Sequence, residues 1–209
     1  MTPAQSEVRE PSVWNIANLL TVLRILMVPV FLWLLVSDLG NDLGLRIAAL
    51  VVFAVAMLTD RIDGNLARKY NLITNFGKIA DPIADKALLG ASLIGLAAID
   101  ILPWWVPAVI LVREVGITVL RFVVIRSGVM PASRGGKLKT VLQTAAVGLF
   151  LLPIDLLLGQ PGGLIVAIVA WLVMIAAIVV TLVTGVDYVL KARVLVREAS
   201  EHKETGQAT

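Results

Sequence analysis

Asp60, Asp63, Asp81 and Asp85 are the residues of this chain best suited to chemistry, and their spacing is helical on both sides of a short polar stretch. Asp60, Asp63, Gly64, Ala67 and Arg68 stand at i, i+3, i+4, i+7 and i+8, one face of a helix that continues past an apolar run. Asp81 and Asp85 stand at i and i+4 and share a face of the next helix. On adjacent antiparallel helices the two pairs converge at one depth. Four gathered carboxylates repel, and a divalent cation relieves the repulsion. Oxygen donors without His or Cys favour Mg²⁺ or Mn²⁺ over Zn²⁺, and Ca²⁺ also accepts such a set. Gly64 and Ala67 leave room beside the acids for a bulky group, and Arg68 offers a guanidinium fork suited to phosphate. Gly77 is expected to break the loop ahead of the third helix, and Pro82 to sit in that helix's first turn. A solvated loop end, paired with Arg61, Arg68, Lys69 and Lys86, would need neither this register nor the flanking small residues.

The elements that carry these acids are membrane spans. The chain has 209 residues, 58% apolar and only 16% charged, and its mean hydropathy is +0.91, which excludes an ordinary soluble domain. A spanning helix needs about 20 apolar residues. The apolar runs predict an all-α membrane protein of six spans, near residues 18–37, 43–60, 79–98, 103–125, 138–158 and 164–190, in a single domain 1–209. Residues 1–10 and 198–209 read as short polar tails, with His202 in the second. The start of the chain lacks the charge pattern of a secretory signal, so the first span is expected to be retained. The turns at 38–42, 99–102 and 159–163 contain no Lys or Arg, whereas Arg61, Arg68, Lys69, Lys78, Arg126, Arg134, Lys137, Lys139, Lys191, Arg193 and Arg197 fall on the other side. By the positive-inside rule that side, with both termini, is cytoplasmic. Trp33, Trp104 and Trp105 then lie near the outer interface. With no cysteine, disulfides and thiolate metal sites are excluded. Nothing reads as a nucleic-acid patch, because anionic lipid accounts for the basic side.

The stretch DRIDGNLARKYNLITNFGKIADPIADK resembles the signature D-x2-D-G-x2-A-R-x8-G-x3-D-x3-D of the CDP-alcohol phosphotransferases, with every fixed position met by Asp60, Asp63, Gly64, Ala67, Arg68, Gly77, Asp81 and Asp85. The six-span layout matches that family as well. The resemblance implies an enzyme of phospholipid biosynthesis in the bacterial cytoplasmic membrane, with its active site on the cytoplasmic side. Its donor is CDP-diacylglycerol, which passes a phosphatidyl group to an alcohol and releases CMP. It further implies one or two Mg²⁺ or Mn²⁺ ions, with Asp60, Asp63 and Asp81 as metal ligands. Asp85 is implied as a general base that also reaches a second ion. Asp63, Gly64, Ala67, Arg68 and Gly77 are implied as nucleotide-binding positions, and a homodimer is expected.

The segments NIANLLTVLRILMVPVF from Asn15, REVGITVLR from Arg113 and GKLKT from Gly136 resemble the branch of the family whose acceptor is sn-glycerol 3-phosphate and whose product is phosphatidylglycerophosphate. A phosphorylated acceptor calls for cations that a bilayer would not otherwise tolerate. Arg113 lies about 12 residues, or roughly 18 Å, from the cytoplasmic end of its span, with Glu114 beside it and Arg121 eight residues on. Lys137 and Lys139 open the fifth span, and Thr140, Gln143 and Thr144 continue a polar stripe. Asn18, Thr21 and Arg24 lie early in the first span. The expected acceptor contacts are therefore Asn18, Thr21, Arg24, Arg113, Arg121, Lys137, Lys139 and Thr140. For the basic residues near the interface, snorkelling to lipid head groups is the plain alternative. Inositol phosphate as acceptor would need similar cations, and a cation transporter would need its acids spread across the bilayer rather than gathered at one face.

Overall fold

In the computed structural model, which describes residues 15–70, 74–124, 134–158 and 161–206, every regular element is helical. The order is α1 (Ile16–Val36), a 3₁₀ turn (Ser37–Gly40), α2 (Leu43–Lys69), α3 (Asn75–Ala98), α4 (Trp105–Val124), α5 (Arg134–Leu151), α6 (Ile154–Leu158) and α7 (Gly162–Gly206). Side-chain caps fix the helix starts. Asn15 Oδ1 accepts from Asn18 N at 2.9 Å at the head of α1, and Asp42 Oδ1 accepts from Leu45 N at 2.7 Å at the head of α2. Thr74 Oγ1 accepts from Gly77 N at 3.0 Å and does the same for α3.

The chain forms two compact units, Met1–Gly95 and Leu96–Thr209. In the first, Phe31 and Phe53 bring their rings to 6.0 Å, and the buried Ala49, Ala56, Ala80 and Ala84 allow close helix packing. A Cβ added at Gly95 would lie 2.7 Å from Leu35, so α3 approaches α1 closely there. In the second unit α7 packs on α4, α5 and α6, with Phe150 edge-on to Trp171 at 5.4 Å over a core of Ile110, Val147, Leu151 and Met174.

Among the described residues, three helical stretches are long and apolar enough to cross a bilayer: Asn18–Gly40, Leu43–Gly64 and Gly162–Arg197. Large apolar side chains such as Val112 (73% exposed) and Phe122 (71%) cover the outside, a surface suited to lipid rather than water. The chain is a membrane protein. Charged residues interrupt the other three long helices: Asp81, Asp85 and Lys86 in α3, Arg113, Glu114 and Arg121 in α4, and Lys137 and Lys139 in α5.

Several expected boundaries shift. The run at 138–158 is two helices, α5 and α6, parted at Pro153, which cannot donate to a helical ladder. The stretch expected as a C-terminal tail continues α7 through Gly206, because its Glu, Ala and Lys are good helix formers. The side chain of His202 and the tail 1–10 lie outside the described residues. Gly77 does not break a loop. It is the third residue of α3, which starts one turn earlier than expected, and Pro82 consequently sits inside the helix rather than in its first turn.

Candidate active site

α2 runs for 27 residues, well past its apolar part, and so carries Asp60, Asp63 and Gly64 on one continuous helix. Along α1 and α3 the pairs Asn18–Thr74, Thr21–Asp81 and Arg24–Asp85 advance in the same direction, so these helices are parallel. Arg24–Asp60 and Phe31–Phe53 advance oppositely, which makes α2 antiparallel to both. The expected convergence of the two acidic pairs follows from this arrangement.

What sits between them is Arg24, fully buried. Its Nη1 donates to Asp60 Oδ1 at 2.7 Å and to Asp85 Oδ1 at 3.1 Å, and its Nη2 donates to Asp63 Oδ2. The three carboxylates differ in access: the Asp63 side chain is 3% exposed, Asp60 32% and Asp85 46%. Asp81 is held separately, accepting from Thr21 Oγ1 at 2.5 Å. Asn18 Nδ2 donates to Thr74 Oγ1 at 2.8 Å, beside Gly77, where an added Cβ would stand 2.8 Å from Asn18 Oδ1. The missing side chain at this signature position is what lets the Asn18–Thr74 pair seat against α3. Four carboxylates are the hard-oxygen donor set that Mg²⁺ or Mn²⁺ takes. With the Arg24 guanidinium among them, no three acidic or histidine side chains of the described residues share a common point.

The second unit holds a cluster of its own. Arg113 Nε donates to the Thr181 carbonyl at 3.0 Å, Nη2 to Thr184 Oγ1 at 2.8 Å, and Nη1 to Glu114 Oε1 at 3.0 Å. Lys139, buried on α5, donates to the same Glu114 oxygen. Gln143, one turn on from Lys139, donates from Nε2 to Thr181 Oγ1 at 3.0 Å. The guanidinium stem crosses α7 at Gly185, where a Cβ would lie 3.3 Å from Arg113 Cγ and Nε. Arg121 reaches Tyr188, through Nη2 to the hydroxyl at 3.1 Å and over the ring at 5.6 Å.

Residues 14–195 match the family model described as CDP-alcohol phosphatidyltransferase. The chain belongs to that family. It is 54% identical over 178 residues to a probable phosphatidylglycerophosphate synthase of Mycobacterium tuberculosis strain H37Rv, covering 85% of this chain and 81% of the relative. It is 37% identical over 188 residues to the CDP-diacylglycerol–glycerol-3-phosphate 3-phosphatidyltransferase of Bacillus subtilis strain 168 (85% and 95% covered). A Rickettsia typhi protein of the same description is 39% identical over 177 residues (83% and 94% covered).

In this phosphatidyltransferase, then, the four signature aspartates lie on the faces their spacing predicts, while the residues expected to bind the acceptor divide four ways, Arg121 standing apart on Tyr188. Asn18, Thr21 and Arg24 turn to Thr74 and the aspartates, as buried polar groups are drawn to carboxylates at that depth. Arg113 and Lys139 meet through Glu114. Lys137 and Thr140 are exposed, Thr140 bonding back to the Gly136 carbonyl at 3.2 Å, and neither joins the cluster because they lie off the α5 face that carries Lys139 and Gln143. The side chains of Ala67 and Arg68 lie outside the described set. Thr74, Glu114, Thr181 and Thr184 were not expected as site residues. Thr181, Thr184 and Tyr188 at i, i+3 and i+7 form a polar stripe that helical spacing alone reveals.

Proposed function

We propose that this chain transfers the phosphatidyl group of CDP-diacylglycerol to sn-glycerol 3-phosphate, giving phosphatidylglycerophosphate and CMP. The observation that carries the reading is that Asp60, Asp63 and Asp85, from two helices, all bond the one Arg24 guanidinium, on a chain whose near relatives are described as glycerol-3-phosphate phosphatidyltransferases.

The acceptor hydroxyl oxygen bonds to the phosphorus that carries diacylglycerol. The bond from that phosphorus to the bridging oxygen breaks, and CMP leaves with the electron pair. Asp60, Asp63 and Asp81 would hold one or two Mg²⁺ or Mn²⁺ ions, which would supply charge neutralisation at the pyrophosphate and make CMP a better leaving group. Asp85 takes the hydroxyl proton; it is the most exposed of the three acids on Arg24, hence the one open to a substrate. Gly64 leaves space on α2 for the nucleotide, with Ala67, Arg68 and Gly77 as the remaining nucleotide positions. Arg113 and Lys139 are the acceptor-phosphate cations, and Glu114 holds both. Purified protein given CDP-diacylglycerol and Mg²⁺ is expected to form product from labelled glycerol 3-phosphate and not from inositol phosphate or serine. No product from glycerol 3-phosphate overturns the acceptor.

The enzyme is further proposed as a homodimer of six-span subunits with both termini and the aspartates on the cytoplasmic side; a monomeric mass in detergent overturns the dimer. Because the chain lacks cysteine, single-cysteine labelling is clean. Asn41→Cys is expected to react with an impermeant maleimide from outside the cell, and Lys191→Cys only after permeabilisation. The reverse pattern sinks the orientation.

A further inference from the structure

Arg24 lies in an apolar helix, and a guanidinium at that depth persists only where it is paired. It is over-supplied with partners. One positive charge faces Asp60, Asp63 and Asp85, while the fourth signature acid is satisfied by Thr21 instead. Nη1 bonds one oxygen from α2 and one from α3, so a single nitrogen occupies the point at which the two acidic helices meet. Nη2 holds the least exposed acid, Asp63, and Nε is buried without a hydrogen bond. The guanidinium is thus fastened at one end to Asp63 and shared at the other between the two more open acids, leaving a formal charge of −2 across the group of three acids and one arginine.

We infer that Arg24 is a resident counter-ion of the aspartate cluster: it keeps the acids assembled when no divalent cation is bound and competes with that cation for Asp60 and Asp85. This rests on the reading of the aspartates as metal ligands. In this role Arg24 touches neither donor nor acceptor. It is a positioning residue that acts through the carboxylates, and its release from Asp60 and Asp85 is the conformational change that accompanies metal loading. If the Arg24-paired state dominates the metal-free protein by about 10:1, the apparent metal affinity is lowered by the same factor, and removing Arg24 restores it.

The test uses the full chain in detergent, with Mn²⁺ alone as the probe, followed by paramagnetic resonance of the free ion. Arg24→Gln is expected to bind Mn²⁺ about tenfold more tightly than wild type. In EDTA it is expected to melt at a lower temperature, and Mn²⁺ is expected to raise that temperature by more than it raises the wild type's. Arg24→Lys keeps the charge but has a single nitrogen, so it cannot hold Asp63 as Nη2 does and bridge Asp60 to Asp85 as Nη1 does at the same time. It is expected to bind more tightly than wild type too, whereas a mere long-range charge effect would leave it unchanged; it also serves if Arg24→Gln does not fold. Mn²⁺ binding by wild type with both variants equal to it or weaker overturns the counter-ion role alone. No binding by any of the three removes the metal-ligand reading together with this one.

Discussion

Asp85→Asn is expected to lower kcat by about 10² to 10⁴-fold, the range a positioned proton acceptor supplies, while CDP-diacylglycerol binding is unchanged. Asparagine keeps the Oδ1 acceptor that takes the Arg24 Nη1 bond at 3.1 Å, so the helices stay in place and only the proton-accepting carboxylate is lost. Asp85 is also the most exposed of the three acids that meet Arg24. Turnover by the purified variant, set beside equilibrium binding of CDP-diacylglycerol, separates the roles. Wild-type kcat would remove the base assignment, and loss of binding would move Asp85 into the donor pocket.

Arg113→Ala is expected to raise KM for glycerol 3-phosphate about ten- to hundredfold, the equivalent of the ~1.5–3 kcal/mol that a hydrogen bond to a charged group contributes, with KM for CDP-diacylglycerol unaffected. Glu114 retains Lys139 in the variant, so the carboxylate is not abandoned, and this limits the structural damage. Arg113→Lys keeps the charge without the fork that reaches both the Thr181 carbonyl and Thr184, and is expected to recover part of the loss. Steady-state kinetics with each substrate varied in turn checks this. A fall in melting temperature with unchanged KM values would make Arg113 a clamp between α4 and α7 and nothing more.

The register of Asp60, Asp63, Asp81 and Asp85 is legible in the sequence because helical spacing is a local property, and a local property survives folding. The partner of Arg24 is not. Asn18, Thr21 and Arg24 stand at i, i+3 and i+6, which marks a polar face without saying what it meets. That depends on how α1 crosses α2 and α3, a matter of the alanines and Gly95 that set how near the helices come. The start of α3 is misjudged for a related reason: Gly77 looks like a breaker until Thr74 is seen to cap the turn around it. Charge obscured the spans in the opposite sense. α3, α4 and α5 read as membrane segments by their flanks, yet each carries charged side chains, so among the described residues length and hydropathy pick out three other stretches. Thr181 and Thr184 escape notice in α7 because so apolar a helix hides two hydroxyls that cap no end and break no run.

α7, 45 residues long, extends for about 67 Å at 1.5 Å per residue, more than twice the roughly 30 Å of hydrocarbon in a bilayer. The surplus makes it an unbroken shaft anchored among its neighbours at one end. A probe attached near Gly206 would be carried at a set height above the bilayer surface, and each residue added or removed before it would turn the probe by about 100° around the shaft. The helix is therefore a built-in ruler and protractor, able to report tilt or rotation of the membrane-embedded part from a label placed well clear of it.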